Sequence, residues 1–222
     1  MGTVAAYDEI ADWYEHEFLP RSEPGDPIGI KQALKALLGN GQGHVCLEIG
    51  CGTGTHAAAV KELGWTPVGV DISERMLSHA KGRLATARAD ATRLPFAQGS
   101  VPAVIAMMVH TDMPHYPRVL REAGRVLRPG GVFVHVGVHP CFCGGFADRT
   151  DPAAVVIRPG YVDGHWTKNS WTDQGVRDKV GAAHFPLPEL LHAFLDAGLV
   201  PDRFMEGGSP VPTTLSIRAR RA

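Results

Sequence analysis

Glu48-Ile49-Gly50-Cys51-Gly52-Thr53-Gly54 is the stretch whose reading decides the fold. It continues a short apolar run, Val45-Cys46-Leu47, bounded by glycines, which reads as a buried strand. Residues 55–63 follow as a helix closed by Gly64. A glycine-rich turn between a strand and a helix lets the backbone approach a ligand closely. The spacing fits a dinucleotide fingerprint poorly. Counted from Gly50, the third glycine would fall on Thr55; counted from Gly52, the last position is Ala57. No Gly-Lys-Ser/Thr follows, which excludes a P-loop. Glu48, two positions before the first glycine, would repel a pyrophosphate and suits a ligand carrying an ammonium or sulfonium charge.

Outward from this turn, strands and helices alternate. Residues 66–70 read as a second strand ending in Asp71, and Ser73 caps a helix running to about Arg83. A short third strand is predicted near 86–89 and a fourth over 101–109. A helix follows over 116–127, stopped by Pro129-Gly130-Gly131, then a fifth strand over 132–138. This alternation over 44–138 predicts an α/β fold, a doubly wound, mostly parallel sheet with helices on both faces. Upstream, Tyr7, Ile10, Trp13, Tyr14 and Phe18 define an amphipathic helix over 3–19, broken from Pro20. Ile30, Leu34, Leu37 and Leu38 define a second, ending at Gly39. Downstream, a helix over 188–197 and strands near 199–206 and 213–220 complete the chain.

Asp71 ends the second strand, where a carboxylate accepts hydrogen bonds from ribose hydroxyls. Asp90, in Ala89-Asp90-Ala91, follows the third, where it would meet an exocyclic adenine amine. With Glu48 on the first strand, three strand-end acids argue for a ligand with cationic, ribose and purine parts. On Glu48–Gly54, Val70-Asp71-Ile72-Ser73, Ala89-Asp90-Ala91-Thr92-Arg93-Leu94-Pro95-Phe96 and Glu122-Ala123-Gly124-Arg125-Val126-Leu127-Arg128-Pro129-Gly130-Gly131, the chain resembles the class I S-adenosylmethionine-dependent methyltransferases, in their small-molecule (type 11/25) branch. The resemblance covers about 44–138.

The resemblance implies a Rossmann-like seven-stranded sheet with a C-terminal antiparallel hairpin, and S-adenosylmethionine as cofactor. Glu48 and the backbone of Gly50, Gly52 and Gly54, with Cys51 in the turn, would hold its methionine part. Asp71 would bind the ribose, Ile72 would lie against adenine, and Asp90 and Ala91 would contact the adenine edge. Met108 would border the sulfonium, and Tyr14 is placed with this set. The family pattern has an acidic residue just before the fourth strand, where this chain has Pro102.

The loops after the fourth and fifth strands, 110–115 and 138–143, lie at the edge where such sheets bind ligands. His139 is the first candidate base and His110 the second. Residues 139–187 form a long stretch holding Phe142, Phe146, Tyr161, His165, Trp166, Trp171, His184 and Phe185, too aromatic for a disordered linker. It reads as a substrate cap in which Tyr7, His110, His139, Phe142, Trp166 and His184 would meet an apolar or aromatic acceptor. The chain then reads as one domain: 1–40 an N-terminal helical cap, 44–138 the cofactor-binding core, 139–187 the cap insertion, 188–222 the last helix and hairpin. His139, Cys141 and Cys143 alternate, but zinc wants four ligands and no second cysteine pair exists, so no metal is expected.

The 222 residues have a formal net charge of −1, with 44 % hydrophobic residues and four cysteines. That balance gives no electrostatic reason for a nucleic-acid partner, and neither a membrane span nor a disulfide scaffold is expected. The start lacks the basic and apolar regions of a secretory signal, and Ala6 stands where myristoylation wants Ser or Thr. A cytoplasmic monomer or homodimer is expected. Six Lys against sixteen Arg point to a bacterium of high genomic G+C. The predicted activity is methylation of a small organic molecule at oxygen. The alternatives are RNA or protein methylation, or an inactive S-adenosylmethionine-binding regulator, with a nicotinamide oxidoreductase more distant.

Overall fold

The computed structural model describes residues 5–21, 26, 28–151, 153–164, 166–168 and 175–222. A seven-stranded sheet carries the chain in the order β10-β11-β5-β4-β1-β2-β3. β1 (Val45–Ile49), β2 (Thr66–Asp71), β3 (Ala85–Arg88), β4 (Val101–Met107) and β5 (Leu127–Val138) run parallel. β11 (Thr214–Arg221) runs antiparallel between β5 and β10 (Leu199–Gly207). The order reverses between β1 and β4, so their carboxyl ends open the crevice in which this architecture binds ligands.

Alternate residues of the central strands feed two cores. Leu47, Ile49, Val104, Ala106 and Phe133 face one side, under α5 (Tyr116–Val126) and α7 (Leu187–Asp196). Cys46, Ala103, Ile105, Val134 and Val136 face the other, under α2 (Ile30–Leu38). Burial on both faces explains why these strands read as near-continuous apolar runs. α3 (Ala57–Glu62) and α4 (Glu74–Ala80) complete the crossovers, and Ser73 caps α4 by accepting from Met76 N–H at 3.1 Å.

Pro102 sits inside β4 where the register with β5 slips between Val101 and Ala103. A residue without an N–H is tolerated at such an irregularity. The sequence-predicted break at Pro129-Gly130-Gly131 is instead continuous with β5, which starts at Leu127. α5 meets the end of α7 so closely that a Cβ on Gly124 would stand 2.3 Å from the Ala197 carbonyl oxygen. Gly124→Ala is therefore expected to cost about 1–3 kcal/mol through overpacking, read as a lower midpoint in a denaturant titration.

The N-terminal helix, α1, runs as Ala11–Trp13, widens to a π-helical turn over Tyr14–Phe18 and closes as Leu19–Arg21. It thus passes through Pro20, where the sequence predicted a break. π-helical turns are rare and frequent at functional sites. Between β5 and α7 the described chain forms two short ladders, β6 (Ala147–Asp148) with β7 (Val156–Ile157) and β8 (Trp166–Thr167) with β9 (Ala182–Ala183), and the short helix α6 (Val176–Val180). His165 and Trp171 of the aromatic stretch lie outside the described residues. Among the described residues, no helix is long and apolar enough to cross a membrane.

Candidate functional site

The glycine turn is wound tightly against β2. The N–H groups of Gly50 and Cys51 both donate to the Val70 carbonyl, at 2.8 and 3.1 Å, and Gly54 N–H donates to the Cys51 carbonyl. Gly52 N–H donates to Asp71 Oδ2 at 2.9 Å. These amides are therefore spent inside the protein. All three glycines have positive φ, 67°, 50° and 77°, which favours residues without a Cβ. A Cβ on Gly50 would also stand 2.8 Å from Val109 Cγ1, on the loop after β4. Cys51 turns its sulfur toward β2, where a Cβ on Gly69 would stand 2.4 Å from Sγ. Small size is its contribution.

Two acids meet at this turn. Glu48 is 1 % exposed; Oε1 pairs with His56 Nδ1 at 2.8 Å and Oε2 has no partner. Asp71 holds the turn with Oδ2 and accepts from Ser73 N–H with Oδ1 at 2.9 Å, so each oxygen keeps a lone pair for further donors. Burial raises its carboxyl above the usual range, against the pull of the Ser73 and Gly52 amides. Beside it Ile72 is 45 % exposed, an uncovered apolar surface that fits a flat ring. Ala89 N–H donates to the Asp71 carbonyl at 2.9 Å, which sets the β2 and β3 ends side by side. Asp90 accepts from both Thr92 N–H and Thr92 Oγ1 at 2.8 Å. Ala91 packs on the core edge.

β4 is followed by Met108, a non-glycine residue with φ 58° that turns the chain into the single turn His110–Asp112. Over this turn lies the N-terminal segment. Tyr14 stacks on Phe18 at 5.0 Å and meets Tyr7 edge-on at 5.8 Å. Burial, then the Asp112 charge, pushes the Tyr14 phenol up to about 12. The Tyr7 hydroxyl is bonded to Asp112, and Asp112 pairs with Arg177 of α6. Asp8 accepts from Ser73 Oγ at 2.6 Å, and Glu15 pairs with Arg83, which also donates to the Thr53 carbonyl in the glycine turn. The N-terminal segment is thus tied to the loops after β1, β2 and β4.

On the far side of the His110 turn, a cavity of about 10 Å³, room for a single water, is lined by His110, Thr111, Cys143, His184 and Phe185 among others. Of the residues expected to meet an acceptor, His110 and His184 line it. Tyr7 reaches this turn through Asp112. His139 stands elsewhere. Its Nδ1 accepts from Cys141 N–H at 3.1 Å and its Nε2 donates to Glu206 at 2.8 Å. With both nitrogens engaged, the ring ties the β5 loop to the hairpin. Phe142 packs on His139 at 4.6 Å. Trp166 is 46 % exposed and lies flat on Gly181, while its neighbour Thr167 faces the cavity. Cys141 and Cys143 diverge, one to Tyr161 and one to the Thr213 carbonyl. Among the described residues no group of three or more His, Cys, Asp or Glu is placed to hold a metal.

Sequence reasoning passed over Arg177, Tyr116 and His135. A histidine in the middle of an apolar strand was a readable signal for the last. Arg177, distant in sequence from Asp112 and outside any periodic run, carried none.

Residues 47–135 match the methyltransferase domain family. Among curated proteins, the chain is 34 % identical over 122 residues to methyltransferase GfsG of Streptomyces halstedii, a match covering 50 % of this chain and 43 % of that protein. It is 30 % identical over 167 residues to a demethylmenaquinone methyltransferase of Clavibacter sepedonicus, covering 72 % and 63 %. The chain spans about half the length of the first curated relatives it matches. Among solved structures, an S-adenosylmethionine-dependent methyltransferase from Mesorhizobium loti superposes with a TM-score of 0.71 at 24 % identity, covering 86 % of this chain and 96 % of that one.

Proposed function

Residues 47–135 match the methyltransferase domain family, and on that match we propose that the chain moves a methyl group from S-adenosylmethionine to an oxygen of a small aromatic or apolar molecule. One observation carries this reading. The crevice at the β1–β4 switch holds two acids, buried Glu48 with an unpartnered oxygen and half-buried Asp71 with spare lone pairs, beside glycines that leave room. Such an acceptor set fits a cationic nucleoside: Asp71 for the ribose hydroxyls, Ile72 for the purine face, Asp90 and Ala91 for its edge, and Glu48 on the side of the positive charge.

When bound, S-adenosylmethionine supplies a methyl group activated on a sulfonium. The chain's own residues position and exclude. The N-terminal helix, anchored through Asp8 and Glu15, lays Tyr7 and Tyr14 over the crevice and keeps water out. Transfer is an in-line displacement, so holding the acceptor in line supplies much of the rate. His110, Thr111 and Phe185 are the groups an acceptor would meet, two polar and one a flat apolar surface. The mostly apolar lining and near-neutral net charge favour a small molecule over RNA.

The test is binding and turnover. Equilibrium dialysis is expected to find S-adenosylhomocysteine bound at micromolar affinity, and methyl-labelled S-adenosylmethionine to label at least one of a panel of small phenols and quinols. No binding by the wild type would sink the reading. Binding without labelling would favour a regulatory role instead.

A further inference from the structure

Tyr116, His135 and His110 form a buried chain of polar groups that leads to the small cavity beside the His110 turn. Tyr116 is wholly enclosed in α5 and its hydroxyl bonds His135 Nδ1 at 2.7 Å. His135 projects from the middle of β5, on the face of Phe133, edge-on to Phe194. Its Nε2 has no partner, and neither has His110 Nδ1. Both atoms flank one point of Gly137, 2.8 and 2.3 Å from where a Cβ on that residue would stand, and the two rings meet edge-on with centroids 5.0 Å apart. His110 then lines the cavity.

The order of hydrogens along this chain has two solutions. In one, the phenol donates to His135 Nδ1, so His135 carries its hydrogen on Nε2 and offers it, through one bridging water, to His110 Nδ1. His110 then carries its hydrogen on Nε2. In the other every donor is reversed, and the phenol accepts while its own buried O–H points at nothing. Leaving a buried donor unmade carries its full desolvation penalty, which selects the first solution. The groups facing His110 agree. Burial first, and then His135, Arg177 and His184 around it, oppose a positive charge there, so the ring stays neutral.

We propose that Tyr116 and His135 are positioning residues that lock His110 in the Nε2–H tautomer, making it a hydrogen-bond donor to the acceptor rather than the base that deprotonates it. This rests on the transferase reading of the same crevice. A donating ring cannot take the acceptor's proton. It selects molecules that present a lone pair, a carbonyl or an already ionised oxygen, beside the atom to be methylated.

Long-range proton–nitrogen NMR of the full chain, labelled at histidine nitrogens, decides this without an acceptor. His110 is expected to show a bare Nδ1 and a protonated Nε2, and His135 the same. In Tyr116→Phe the His110 nitrogen shifts are expected to move toward a tautomer average. In His135→Gln, which keeps an amide donor where Nε2 stood, His110 is expected to keep the wild-type pattern, and in His135→Leu to lose it. A wild-type His110 with hydrogen on Nδ1, or doubly protonated at neutral pH, overturns the proposal, and that spectrum suffices even if a variant fails to fold. Dialysis of S-adenosylhomocysteine on the same samples reports separately on the transferase reading.

Discussion

Asp71→Asn is expected to weaken S-adenosylhomocysteine binding about 100-fold while leaving the fold in place. A hydrogen bond to a charged group is worth about 1.5–3 kcal/mol. Each 1.4 kcal/mol is tenfold in affinity, so loss of charge toward a pair of ribose hydroxyls gives about that factor. The fold survives because of the sign of the Asp71 shift. Burial raises its carboxyl. A carboxyl raised in the folded state is a cost wherever it is ionised, and the cost fades as pH falls through the folded-state value. Asparagine removes that cost at neutral pH and keeps one oxygen for the Gly52 or Ser73 amide. The melting temperature of the free variant is therefore expected to stay within a few degrees of wild type, with any difference narrowing in acid. Unchanged affinity by calorimetry would remove Asp71 from the cofactor site; an unfolded variant would make it a structural residue.

Legibility in the sequence followed range along the chain. The glycine turn, Asp71 and Asp90 could be read because each is tied to its own strand end: Asp71 bonds Gly52 and Ser73, and Asp90 bonds Thr92. Strands buried on both faces announced themselves as apolar runs, and Gly39, Gly64 and Ser73 marked helix ends. The acceptor side was harder because its contacts join distant segments. His139 was read as facing a substrate, since it follows β5 as His110 follows β4. Its ring is claimed by Glu206 on β10, a strand whose register no local pattern reveals. Trp166 was read as a cap aromatic, but a two-residue strand decides which way it faces, and Thr167 took the inner side. The destinations of the glycine amides, the Val70 carbonyl above all, could not be read, because they depend on how β2 lies beside β1.

Arg177→Met is expected to have the largest effect on stability. Arg177 is 7 % exposed and pairs with Asp112, whose other partner is the Tyr7 hydroxyl. Removing one member of a buried pair strands the other charge, at a cost of about 3–5 kcal/mol. In a protein of this size that lowers the melting temperature by on the order of 10 °C. The pH dependence separates this cause from lost packing. Burial already raises the Asp112 carboxyl despite Arg177, and without the guanidinium it rises further. A raised carboxyl is costly only while ionised, so the deficit of the variant is expected to be greatest at alkaline pH and to shrink as the solution is acidified through the new value. Arg177→Met with Asp112→Asn removes both charges and is expected to recover most of the lost stability, since a buried pair contributes little net against neutral replacements. A deficit that is flat with pH, and that the double variant keeps, would mean that the arginine stem and not the ion pair holds α6 in place. Either way the consequence reaches the chemistry. The pair joins the cap, the His110 turn and the N-terminal Tyr7 at one point, so the single variant is expected to lose acceptor methylation at temperatures where S-adenosylhomocysteine, held by the β1–β2 edge, still binds.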